Sequence, residues 1–220
     1  MHLVVFDVDG TLVESDEFDG ILYARAVREV LDIDVDDDWS GYRHVTDSGI
    51  LEEILDRHGI EGDHSATHAL VRKTFAALVR DDLARRNGRL PEIPGAAAFV
   101  NRLVAHPEVS VGVATGGWRE TAAMKLRAIG LDPGTLHFAS GSDAIRRTEI
   151  MRMAERRALA GGSGDRKTYF GNQPWDREAS LSLGWNFVGI GSSVRHHIRF
   201  CDYLDYESIE VVLGLRSPVG

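Results

Sequence analysis

Two acids stand two positions apart near the start of the 220-residue sequence, in Asp7-Val8-Asp9-Gly10-Thr11-Leu12-Val13. Just past a strand, one carboxylate can attack an electrophilic centre while its neighbour handles the proton. Gly10 permits the tight turn the backbone needs there. Taken alone, the pair also fits an acidic surface turn. Three more segments bear on the choice. Val113-Ala114-Thr115-Gly116-Gly117 runs into a helix opening at Trp118-Arg119-Glu120. A hydroxyl and unblocked N–H groups at a helix N-terminus make an anion site, and an N-cap with a glycine turn is the other reading. Ser140-Gly141-Ser142-Asp143-Ala144-Ile145-Arg146-Arg147 opens another helix, where Arg147, or Arg146 beside it, can neutralise phosphoryl oxygens or simply be solvated. Tyr169-Phe170-Gly171-Asn172-Gln173-Pro174-Trp175-Asp176 places an acid beyond a further strand, as a magnesium-site residue or as a helix N-cap.

The elements that must position these groups are short apolar runs at Leu3 to Phe6, Val109 to Ala114, Leu136 to Ala139, Thr168 to Phe170 and Asn186 to Ile190. Alternation of such runs with amphipathic helices predicts an α/β fold: a Rossmann-like, doubly wound parallel sheet with ligands beyond the carboxyl ends of its strands. The first crossover is exceptional, because helices are read over 17–31, 46–58 and 65–86, with breakers Gly88, Pro91, Pro94 and Gly95 at the exit. This predicts an inserted α-helical domain of residues 15–90 in a core of residues 1–14 and 91–220. The run Gly161 to Asp165 reads as a connector. The acids at 32, 34, 36, 37 and 38 fail the calcium-loop template, since Asp37 and Arg43 stand where it needs Gly and Glu; they read as a solvated loop.

The net charge of -9 argues against nucleic-acid partners, which require a basic surface. Cys201, the single cysteine, can form no intramolecular disulfide and reads as a buried small apolar residue. There is no apolar run long enough for a membrane, and the strand-like start leads to the expectation of a cytoplasmic protein.

The four segments, in this order at successive strand ends, resemble the four motifs of the haloacid dehalogenase superfamily. The stretch from Phe170 to Gly191 looks especially like its phosphoglycolate-phosphatase-like members. The helical insertion resembles the family's cap of the first type. The resemblance implies a phosphomonoester hydrolase acting on a small phosphorylated metabolite. Asp7 would be the nucleophile, Asp9 the acid/base, and Thr115, Gly116 and Arg147 the phosphate-binding groups. Mg2+ would be held around Asp7, Asp9, Asn172 and Asp176, with Thr11 supporting the loop. Asp9 favours a phosphate ester over a haloacid, because an alkoxide leaving group needs a proton and a halide does not. The sequence departs from the family in having Asn172 where an acid is usual and Arg in place of the third-motif Lys. A phosphotransferase such as a sugar phosphomutase, or a weakly active or non-catalytic binding protein of the same fold, are the alternatives. Arg43 and His44 in the insertion are candidate contacts to an anionic substrate tail, with Thr46 or Asp47 capping the adjacent helix as the other reading.

Overall fold

The computed structural model describes residues 1–36, 38–160 and 164–217. Asp37 of the acidic run and residues 161–163 of the connector lie outside the described residues. Six parallel strands, β1 (His2–Phe6), β2 (Val109–Ala114), β3 (His137–Ala139), β4 (Arg166–Gly171), β5 (Asn186–Ile190) and β6 (Arg199–Phe200), form one sheet in the order β3-β2-β1-β4-β5-β6. β1 pairs with β2 on one side and β4 on the other, so the winding reverses at its C-terminal end, where open α/β sheets leave a crevice. Asp7 occupies that point.

Alternation along β1 explains why its sequence is apolar at every position. Val4 and Phe6 join one buried layer with Val111, Phe99 of α4 (Ala96–Val104) and Phe170. Leu3 and Val5 join the opposite layer with Tyr169 and with Ile150 and Met151 of α6 (Arg147–Leu159). A third apolar cluster belongs to the insertion: Leu22, Tyr23 and Val27 of α1 (Asp16–Leu31), Ile50, Leu51 and Ile54 of α2 (Asp47–Arg57), and Phe75 and Val79 of α3 (Ser65–Arg85). Trp118, just before α5 (Arg119–Ala128), enters it from the core, and Met124 of α5 packs against it. The three helices read from sequence fall within a residue of these bounds.

The chain leaves and re-enters the core at one place. Glu14 N–H donates to Pro91 C=O at 2.9 Å, Ile93 N–H donates to Leu12 C=O at 3.0 Å, and Val13 bridges Glu92 in antiparallel fashion.

Two features differ from the sequence reading. The edge strand β6 and the helix α8 (Tyr206–Leu213) extend the core beyond the five strands read, and β6 is too short and exposed to leave an apolar signature. Cys201 is exposed rather than buried, because it follows that edge strand in a bend. No helix among the described residues is long and apolar enough to cross a membrane.

Candidate active site

The site assembles at the ends of β1, β2, β3 and β4. After β1 the chain folds back on itself: Thr11, Leu12 and Val13 amides all point to Val8 C=O, and Gly10 takes a positive φ of 65°. This hairpin turns Asp9 toward the same cavity as Asp7. Thr11 is buried, and its hydroxyl donates to the Asn172 amide oxygen at 3.4 Å, tying the loops after β1 and β4 together.

Arg147, not Arg146, is the arginine beside Asp7. Its Nη1 lies 3.4 Å from Asp7 Oδ1 and 3.0 Å from Asp176 Oδ1, and Nη2 donates to Val45 C=O at 3.0 Å. Arg146 is exposed and precedes α6. Burial opposes the charge on Arg147, and the Asp176 and Asp7 carboxylates outweigh it, so the guanidinium stays charged. Burial, and next the neighbouring Asp176, pushes the Asp7 carboxyl up to about 8. Asp176 is fully buried in the first turn of α7 (Pro174–Ser182), where it is the third helical residue and closes a capping box with the N-cap Gln173. Its Oδ2 accepts the Asn172 and Gln173 amides at 3.2 and 3.0 Å, while Oδ1 faces Arg147.

Thr115 is buried after β2, and its hydroxyl oxygen accepts the Gly117 amide at 3.2 Å. The insertion is seated on this turn. Asp47 N–H donates to Gly116 C=O at 2.9 Å, Trp118 N–H donates to Asp47 Oδ2 at 2.7 Å, and Ser48 Oγ donates to Gly141 C=O at 2.7 Å. Thr46 caps α2, accepting the Gly49 amide, and also donates to Ile145 C=O at 2.8 Å. Gly141 lies so close that a Cβ there would fall 2.2 Å from Gly116 C=O. Gly141→Ala therefore has to displace the turn that carries Thr115. It is expected to lower stability by about 1 to 3 kcal/mol, read as a fall in urea midpoint.

Asp7, Asp9, Thr115, Gly116, Arg147 and Asn172 line one cavity of about 460 Å³, roofed by Tyr23, Trp39 and Trp175. This is a volume suited to a small molecule. Arg43 and His44 do not line it; they border a neighbouring cavity with Arg146 and Trp175. Asp38 of the acidic run does line the site, whereas Asp32, Asp34 and Asp36 are exposed as a solvated loop requires. Among the described residues, no group of three or more His, Cys, Asp or Glu side chains converges as a metal cage.

Sequence reasoning missed Lys125. Within α5 it reads as one more surface lysine, yet it is fully buried, with Nζ 2.5 Å from Asp9 Oδ1 and 2.5 Å from Asp19 Oδ1. Nothing in its own helix signals this, because both partners come from distant segments.

The family model of haloacid dehalogenase-like hydrolases matches residues 4–180. No curated protein matches the sequence. Among solved structures, a hydrolase from Pseudomonas syringae superposes with a TM-score of 0.71 at 19% identity, over 94% of this chain and 97% of that one. CbbY from Rhodobacter sphaeroides, solved in complex with phosphate, gives a TM-score of 0.67 at 19% identity, over 92% and 95%. A putative beta-phosphoglucomutase from Bacteroides vulgatus gives 0.71 at 13% identity, over 99% and 91%. At these identities the structural likeness is one of fold. The match to the family model spans most of the sequence and includes all four site loops, and the chain belongs to the haloacid dehalogenase-like hydrolases.

Proposed function

We propose that the chain is a magnesium-dependent phosphomonoester hydrolase working through an aspartyl-phosphate on Asp7. The observation that carries this reading is the meeting, in one cavity, of a buried Asp7 carboxylate, an arginine on its Oδ1, and the Thr115–Gly117 turn. An Asp7 oxygen attacks phosphorus as the ester oxygen departs with a proton from Asp9. Water then attacks the phosphoryl group, Asp9 takes its proton, and inorganic phosphate leaves with Asp7 restored. Thr115, Gly116 and Arg147 bind the equatorial oxygens.

The donors at hand are all oxygens, the type a hard dication takes, and such an ion would favour the ionised form of an Asp7 carboxyl that burial first, and Asp176 next, push up. Asp7, the Asp9 backbone carbonyl and the Asn172 amide oxygen would hold magnesium, whose charge offsets that of the transferring phosphoryl group. Asp176 serves the same site by fixing Arg147 and the turn that carries Asn172. An added carboxylate at the amide's place should bind the ion more tightly. Asn172→Asp is expected to lower the magnesium half-saturation on the order of tenfold, and an unchanged value would remove residue 172 from the ligand set.

Residues 15–90 serve as a cap domain over a core of residues 1–14 and 91–220, and supply most of the cavity's far wall. That wall bounds the substrate. Among the described residues lining the cavity, Arg147 is the one cationic side chain, while Asp19, Asp38 and Asp47 line it together with Tyr23, Trp39 and Trp175. With Arg147 committed to phosphate, nothing there offsets a second phosphate or a carboxylate. The organic part is accordingly an uncharged polyol or an amino alcohol.

The test is phosphate release from a panel of polyol, amino-alcohol, carboxylate-bearing and bis-phosphate esters, with magnesium and with chelator. Release confined to esters without a second anion is expected. A phosphorylated acceptor without free phosphate would make the protein a phosphotransferase, and no turnover of any ester would overturn the hydrolase reading.

A further inference from the structure

The buried charge cluster around Lys125 joins the two parts of the molecule. Lys125 and Asp9 belong to the core, and Asp19 belongs to α1 of the insertion. Ser15, at the exit toward the insertion, also donates to Asp9 Oδ1. One oxygen of Asp9 is thus held from two sides. Its other oxygen faces the phosphate turn: a Cβ on Gly117 would lie 3.6 Å from Asp9 Oδ2 and 3.6 Å from Thr115 Oγ1.

We propose that Lys125 is a positioning residue that grips Asp9 by Oδ1 and links it to Asp19, so that Oδ2 is aimed at the leaving oxygen only while the insertion is seated. This rests on the hydrolase reading above, in which Asp9 protonates the leaving group. Nζ lies within hydrogen-bond distance of a carboxylate oxygen of Asp9 and of one of Asp19, so the grip is that of one buried cation shared by two anions. A lysine that merely stabilised the fold would need partners of opposite charge, but not partners drawn from both sides of a joint that must open for substrate to enter. Asp47, whose Oδ2 receives the Trp118 amide, borders the same cluster from α2, so two helices of the insertion converge on it.

The role makes a prediction that a structural role does not. An alkyl phosphate needs its leaving oxygen protonated, whereas p-nitrophenolate departs without a proton. Misaiming Asp9 must therefore lower kcat/KM for the alkyl ester much more than for the aryl ester. The experiment compares p-nitrophenyl phosphate with the best alkyl ester in the intact protein, in Lys125→Met, and in Lys125→Met/Asp19→Asn. The double variant loses one charge of each sign and so keeps the cluster closer to balance should the single variant fail to fold. Either variant is expected to lose at least tenfold more kcat/KM on the alkyl ester than on p-nitrophenyl phosphate. Asp19→Asn alone, which spares the grip but cuts the link, is expected to shift the ratio the same way by a smaller factor. Equal losses on both esters in folded Lys125 variants overturn the positioning role, and an unaltered ratio in Asp19→Asn overturns the link to the insertion. Absence of phosphate release by the unaltered protein would instead overturn the hydrolase reading, and this proposal with it.

Discussion

Asp7→Asn abolishes phosphate release and at the same time raises the melting temperature of the metal-free protein at pH 8. The loss of turnover follows from the proposed role of Asp7 as nucleophile, for which a fall on the order of 10⁴-fold or more is expected. The gain in stability follows from the buried acid. Burial first, and Asp176 second, lift the Asp7 carboxyl to about 8, so the folded chain binds a proton that the unfolded chain releases near pH 4. Its contribution is fully present below the unfolded pKa and is lost as pH rises toward 8. An amide of the same shape does not suffer that loss. On the order of 5 kcal/mol at pH 8 is expected, a rise of roughly 10 to 20 °C for a chain of this size. Melting curves in chelator at pH 5 and pH 8 test it: the gain must grow with pH. Equal shifts at the two values would mean that Asp7 is not the group being relieved.

Arg147→Met should move stability the other way while also crippling the chemistry. Its guanidinium lies between two buried carboxylates, 3.4 Å from Asp7 and 3.0 Å from Asp176, and removing it leaves them facing one another. Breaking a buried pair of this kind costs about 3 to 5 kcal/mol at a pH where both acids are ionised. The cost shrinks toward low pH as the two carboxyls take up protons. Loss of one preorganised donor to phosphate should lower kcat/KM by about 10²- to 10³-fold. Arg147→Lys keeps the charge but not the fork that reaches Asp7, Asp176 and Val45 together, so it should recover the stability better than the rate. Denaturant melts alongside phosphate release check both halves. A Met variant as stable as the parent would show that the two acids do not depend on this arginine.

The sheet and the three insertion helices were legible because their apolar runs and breakers are local signals. The four strand-end segments were legible for a related reason: each strand delivers its next residue to the same crevice, so order along the chain becomes proximity in space. The choice of Arg147 over Arg146 lay beyond the sequence. Adjacent positions at a helix start differ only in the direction the side chain takes, and that is set by packing against Asp176 and Val45. Lys125 lay further still beyond reach. Its burial depends on Asp9 and Asp19 arriving from another element, and no pattern within α5 distinguishes it from a solvated lysine. The same holds for Arg43 and His44, whose chemical types fit an anionic tail but whose backbone carries them to a neighbouring cavity.

The paired entry and exit beside Val13 and Glu92 have a historical consequence. A segment that departs from and returns to one point of a sheet can be lengthened, trimmed or swapped for another without shifting any strand, because its ends impose no distance on the remainder. Descent with modification can then work on the roof of the cavity without moving the floor, with its aspartates and the turn from Thr115 to Gly117. New appetites arise from old chemistry by editing one stretch of chain.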